Sequence, residues 1–306
     1  MKKLVLTCLS VVILISFKVS YSEEFPKRIV SLSPSITEII YGLGAWDKVV
    51  GVTLYSDFPP EAKDLPKVGG WVDPNLEAIL AQKPDLVIMI DDQYTIFGDK
   101  IRKLGLNTLS VESNDSVKDI LDSIVQIGKA LGKEEEAKSL SEDVESTLEE
   151  IRAKTRKVPP RRVLFVIGRN PGTLEDIYVV GKTSFMNEMI TLAGGENVVE
   201  IERLAIRISK EAILSLDPDV IIEINHERTD KKDEVIKDWS GLKEAPAVRN
   251  GEVHVVSSTV LIHPSQRIAE GTRILAKILH PEIFEKYGKK NIQPLRREGT
   301  KEQYGF

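Results

Sequence analysis

The chain has 306 residues, 42% of them hydrophobic and 29% charged, with a formal charge of −5 and a single cysteine. That length is about two domains' worth, and the composition is rich enough for two cores. Mild acidity argues against a nucleic-acid or anionic-lipid partner, and a lone Cys8 leaves no disulfide or cysteine-built metal site.

At the start, Lys2 and Lys3 precede an apolar run from Leu4 to Phe17 and a small-residue stretch, Ser20-Tyr21-Ser22. The run is short of the ~20 residues of a membrane span, so residues 1–22 are expected to be a signal peptide cleaved after Ser22. Cys8 sits inside the run, not at its end, which argues against lipid attachment there. Loss of Lys2, Lys3 and Lys18 takes the formal charge from −5 to −8. The mature chain is then expected outside the cytoplasm, in a periplasm or its equivalent.

Residues 23–115 read as a first α/β lobe. Arg28–Leu32 predicts a strand, and Ser35 with Glu38 fits a capping box opening a helix that Gly42 and Gly44 stop. Val49–Leu54 reads as a second strand. LEAILAQKPDLVIMI, residues 76–90, then gives a short helix broken at Pro84 and an apolar strand buried on both faces. A helix near Lys100–Leu104 and a strand at Thr108–Val111 complete the lobe. Alternating strands and helices imply a mostly parallel, layered sheet.

Residues 116–158 read as a helical connector. Gly128 and Gly132 are expected to split it, leaving a long helix, Glu134–Lys157, with one apolar face at Leu140, Val144, Leu148 and Ile151. Pro159-Pro160 ends it, and residues 159–284 read as a second lobe. Its first strand is Arg162–Gly168. KEAILSLDPDVIIEI, residues 210–224, repeats the first-lobe sentence 134 positions on, and Glu188-Met189-Ile190 before Gly194 repeats Glu38-Ile39-Ile40 before Gly44. A closing strand, Val253–Val256, and a helix over Pro264–Leu279 follow; residues 285–306 read as a polar tail. The fold class is therefore α/β: two similar lobes joined by a single long helix, with a ligand cleft between them.

Ligands of open α/β sheets bind beyond the carboxyl ends of the strands. The loops there are Ser33–Ser35 and Asp91–Tyr94 in the first lobe, Arg169–Pro171 and Asn225–Arg228 in the second. Tyr55 and Trp71 lie in proline- and glycine-rich loops, where an aromatic face suits a large planar ligand or else plugs the lobe's edge. Chemistry finds no footing. Gly181-Lys182-Thr183 lacks the earlier glycine of a phosphate loop, since position 176 is Asp176. His226, His254, His263 and His280 have no metal-ligand spacing, and no serine nucleophile elbow is present. His263 alone falls in a cleft loop, as a hydrogen-bonding or packing residue rather than a metal ligand.

Three segments, RIVSLSPSITE (28–38), GVTLYSDFPP (51–60) and WVDPNLE (71–77), resemble the substrate-binding proteins of ABC importers for cobalamin, siderophores and haem, the cobalamin binders above all. The resemblance runs from about Arg28 to Phe284. It implies two lobes on one helical backbone, with modest closure. It also implies that Glu77 and Glu211, the first shared letters of the long echo, dock onto arginines of the permease subunits; the alternative is that each merely favours its helix dipole. Tyr55 and Trp71 match positions that pack against the corrin ring, while other aromatic contacts become Ile90 and Ala205 here. Arg203, Arg207 and Arg169 would add positive charge favouring a carboxylate-bearing ligand, if they face the cleft.

The sequence thus points to a non-catalytic extracytoplasmic receptor that hands a corrinoid to an ABC permease, needing no cofactor and no metal of its own. Ser33, Pro34, Ser35, Tyr55, Trp71, Ile90, Arg169, Asn170, Pro171, Arg207, Thr259 and His263 are the expected ligand residues. The rivals are a ferric siderophore or haem receptor, a chelatase using His263, and a sensory module without a permease.

Overall fold

The computed structural model describes residues 25–113, 115–225, 232–256 and 259–284. The expected signal peptide and tail, together with His226 and Arg228, lie outside these.

Strands β1 (Ile29–Ser31), β2 (Val49–Val52), β3 (Leu86–Ile90) and β4 (Thr108–Val111) make a parallel sheet in the order β2-β1-β3-β4. Helices α1 (Pro34–Gly42) and α2 (Leu76–Ala81) fall in its crossovers. After β3 the chain winds through α3 (Asp91–Gln93), a π turn and α4 (Asp99–Lys103). Two longer helices follow, α5 (Val117–Leu131) and α6 (Glu134–Thr155).

The second sheet holds β5 (Arg161–Gly168), β6 (Ile177–Val180), β7 (Gly195–Asn197), β8 (Ala205–Ile208), β9 (Val220–Ile224) and β10 (Val253–Val256). Its order is β10-β9-β5-β6-β8, with β7 also on β5. The β5, β7, β9 and β10 pairings are parallel, whereas β6 runs antiparallel to both β5 and β8. The antiparallel pair was not expected: β6 and β8 are only four residues each, too short to show a period. Helices α7 (Phe185–Leu192), α8 (Lys210–Leu216), α9 (Lys232–Asp238), α10 (Pro246–Arg249), α11 (Ile268–Leu279) and α12 (Pro281–Phe284) complete the lobe.

Helix α6 matches the expected rod. Val144, Leu148 and Ile151 are buried and Leu140 half-buried, and the acids Glu134–Glu136 open the helix while Arg152 and Lys154 close it, as the helix dipole favours. Only Gly132 breaks the connector: it adopts the left-handed conformation, φ +67°, that ends α5. Gly128 stays helical instead. A Cβ there would lie 2.3 Å from that of Ala137, so this glycine lets α5 and α6 touch. Helix α11 begins at Ile268, later than expected, because Pro264–Arg267 is used for contacts described below.

The long echo builds the same knot twice. In the first lobe Arg28 Nη2 donates to Gln82 O at 2.6 Å, Nε reaches Lys83 O at 3.1 Å, and Asp85 accepts from the Arg28 N–H at 3.0 Å. In the second, Arg162 Nη2 donates to Leu216 O at 2.6 Å, Nε to Asp217 O at 3.2 Å, and Asp219 accepts from the Arg162 N–H at 3.0 Å. Lys83 and Asp217 both take left-handed backbone, φ +47° and +48°. Each arginine thus satisfies the orphan carbonyls at the end of a helix and ties that end to the first strand of its lobe. Because these bonds are charge-assisted, Asp85→Ala and Asp219→Ala are each expected to cost ~1–3 kcal/mol in urea unfolding, with similar values for the two.

One apolar cluster spans both halves. It joins Ile36, Ile39 and Ile40 of α1 and the inner faces of α5, α6, α7 and α11 to Phe165 and Ile222 of the second sheet. Two smaller clusters cover the outer faces of the sheets. The sheets are therefore separate, but the helical layer between them is continuous.

Candidate functional site

The carboxyl ends of the two sheets converge. The loop after β2 meets the turn after β10, where Thr259 Oγ1 donates to Asp57 Oδ1 at 3.5 Å. Beside it, Glu38 of α1 is 1% exposed. Its carboxylate points away from its own helix start and takes a hydrogen bond from Ser265 and one from His263 Nδ1 at 2.8 Å, with Arg267 Nη1 at 3.7 Å. Gln266 Nε2 also donates to Glu38 O at 2.8 Å. The expected capping box is thereby corrected: Ser33 occupies the N-cap position, Pro34 opens α1, and Glu38 clasps the second lobe. Arg267 also lies over the Phe58 ring at 3.9 Å.

The expected ligand residues divide into three groups. Ser33, Pro34 and Ser35 are buried at the end of β1, where the two serine hydroxyls bond each other at 2.8 Å. Thr259 and His263 belong to the clasp, His263 being the hydrogen-bonding histidine expected. Tyr55 stands 61% exposed, near Gly70, and Trp71 is half-buried with its carbonyl bonded by Gln93 at 2.9 Å. Ile90, at the end of β3, packs partly against the core. Leu54 and Val72, each next to one of the two loop aromatics in the chain, and Ile96, in the π turn after β3, are also exposed.

Arg169 needs correction. Its side chain is 3% exposed and fully engaged: Nε on Glu223 at 2.9 Å, Nη1 on Asp238 at 3.0 Å, Nη2 on Val235 O at 3.3 Å, with the Trp239 ring alongside. It is a strut of the second lobe, not a cleft cation. Burial pushes the Glu223 carboxyl up, while Trp239 Nε1–H and Arg169 oppose that shift. Asn170 is exposed and bonds Asp176 at 3.0 Å, Pro171 is exposed in the same turn, and Arg207 is an exposed cation paired with Asp176 at 2.8 Å.

Tyr178 was missed. Ile177 and Val179 point into the outer core, so Tyr178 points the other way, the side on which Val180 joins the shared core. Its cross-strand neighbours are Gly168, at the carboxyl end of β5, and Arg207, and it remains 47% exposed. A lone tyrosine between apolar residues carries no periodic signal, so only the register reveals it.

The helix starts carrying the echo are alike too. Asn75 caps α2 and Ser209 caps α8, which leaves Glu77 and Glu211 exposed in the first turns. The Ser209 hydroxyl holds the Glu211 carboxyl below the usual carboxylate range, so it stays ionised.

Compared with known families, residues 29–259 match the family described as "Periplasmic binding protein". The chain belongs to that family. Its relatives include the uncharacterized ABC transporter substrate-binding lipoprotein YvrC of Bacillus subtilis, 33% identical over 85% of this chain and 82% of the relative. A vitamin B12-binding protein of Yersinia pseudotuberculosis is 30% identical over 70% of this chain and 74% of its own. Among solved structures, a periplasmic haem-binding protein of Pseudomonas aeruginosa superposes with a TM-score of 0.76 at 25% identity, covering 85% of this chain and 94% of that one. The two-lobed periplasmic-binding-protein fold expected from the sequence is thus the fold observed.

Because Arg169 is a buried, doubly paired cation, Arg169→Ala is expected to destabilise by about 3–5 kcal/mol. Arg207→Ala, breaking an exposed pair, should cost under about 1 kcal/mol. Paired urea melts of the two variants check the contrast.

Proposed function

We propose that this protein is the extracytoplasmic substrate-binding protein of an ABC importer, capturing a corrinoid between its lobes and delivering it unaltered to the permease. The observations that favour this ligand class are the exposed Leu54, Tyr55 and Val72 of the first lobe and the exposed Tyr178 of the second. Aromatic and aliphatic faces suit a broad, flat macrocycle. Arginines were the sequence argument for an anionic ligand. With Arg169 buried and Arg207 paired with Asp176, that argument weakens to the exposed Arg203, which favours a ligand with few anionic groups on its periphery. The similarity to a vitamin B12-binding protein supports the same choice.

The second reading is a haem receptor, supported by the superposed haem-binding structure. A ferric siderophore is the third ligand class. Titration with cyanocobalamin, cobinamide, haemin and ferric siderophores, read by tryptophan quenching, separates them. Saturable quenching by corrinoids is expected, and silence with every corrinoid sinks the corrinoid reading. Tyr55→Ala and Trp71→Ala should each weaken corrinoid binding about tenfold, equivalent to ~1.4 kcal/mol.

Permease docking rests on Glu77 and Glu211, one exposed carboxylate at a helix start on each lobe. Two separated charges define both register and orientation on a partner. The Glu77→Ala/Glu211→Ala double variant is expected to keep its ligand affinity yet lose stimulation of the transporter's ATPase in proteoliposomes. Undiminished stimulation would remove the docking role.

A further inference from the structure

We propose that Glu38, Asp57 and His263 bind a divalent transition-metal ion that staples the two lobes together. One carboxylate oxygen from each acid and one imidazole nitrogen lie within 4.8 Å of one another. Glu38 and Asp57 come from the first lobe and His263 from the second, so an ion held by all three bridges the clasp. The inference is independent of the cargo and concerns the protein alone.

The ligand chemistry favours a borderline ion such as Zn2+. Imidazole with two carboxylates suits first-row transition metals, whereas Ca2+ and Mg2+ prefer all-oxygen shells. The surroundings resemble an outer shell already in place. Ser265 donates to Glu38 Oε2, leaving Oε1 to turn from His263 Nδ1 to the metal, and Thr259 donates to Asp57. Such partners orient ligands and hold them ready. Arg267 is the competing cation, 3.7 Å from Glu38 Oε1, but its guanidinium also lies over Phe58 and its Nε bonds Glu270 at 3.1 Å, so it has other partners where a metal would displace it.

The other cluster of possible ligands, Glu112, Asp119 and Asp122, is an all-carboxylate group with two of its three members exposed, and it serves as the internal control. The test is calorimetric titration of ligand-free mature protein with Zn2+, with Ca2+ and Mg2+ for comparison, alongside thermal melts with and without EDTA. One Zn2+ per chain, a chelator-reversible rise in Tm and no response to Ca2+ or Mg2+ are expected. Asp57→Asn and His263→Gln should each weaken Zn2+ binding at least tenfold. The glutamine can still donate to Glu38, so His263→Gln is expected to fold even if His263→Ala does not; circular dichroism checks this. Substitution with Co2+ should give a visible spectrum that His263→Gln alters. No saturable Zn2+ binding, binding unchanged in both variants, or binding lost instead in Asp119→Asn/Asp122→Asn would each overturn the proposal. Cargo binding plays no part in these readouts, so they stand or fall apart from the corrinoid reading.

Discussion

A carboxylate sealed from water has to be answered, and the answer to Glu38 comes from the other lobe. His263, Ser265 and Arg267 converge on it, and Gln266 holds the backbone carbonyl of the same residue. Parting the lobes at this point would break all three contacts to one carboxylate at once and let water into a site that is now sealed. The clasp is therefore less a source of net stability than a rule about geometry: the first lobe's α1 and the second lobe's 263–267 segment have one favourable arrangement. The continuous apolar layer of α1, α5, α6, α7 and α11 enforces the same arrangement from below. Together they hold α1 and the 263–267 segment in register.

The internal duplication extends this logic. Glu38 and Glu188 occupy matching places in the shorter echo, and each sends its carboxylate outside its own sheet-and-helix unit. Glu38 reaches the second lobe, while Glu188 accepts from the Val117 N–H at the start of α5 at 3.4 Å, where burial pushes its carboxyl up. The longer echo does the complementary work within each lobe, since Arg28 and Arg162 seal equivalent helix ends against equivalent strands. One repeated unit thus supplies both the internal knot and the outward contact. The same repetition puts Glu77 and Glu211 at equivalent helix starts, so the two lobes present one acidic residue each.

Charge placement separates arginines that look alike in the sequence. A cleft arginine and a strut arginine have the same letter, and their consequences for the cargo are opposite. Arg169 spends its donors on Glu223, Asp238 and two carbonyls, so it contributes rigidity to the loop after β5 and nothing to the cleft potential.

The sequence by itself determined what depends on local pattern and on repetition. The strand–helix alternation, the rod at Glu134–Thr155 with its buried stripe, and the twofold plan were all legible, because period, proline breaks and echo spacing are local properties. So was the place of Glu77 and Glu211 at helix starts, although their caps, Asn75 and Ser209, came only with the structure. Only the tertiary structure decided what depends on residues far apart in the chain. Glu38 reads as a helix-capping acid until its partners arrive from 225 and more positions away. Arg169 reads as a cleft cation until Glu223 and Asp238 close on it, and Tyr178 gains a defined face only once the antiparallel register of β5, β6 and β8 is set. A polar side chain's role is set by which partner satisfies it, and in this chain the deciding partners are brought in by the fold rather than by neighbouring letters.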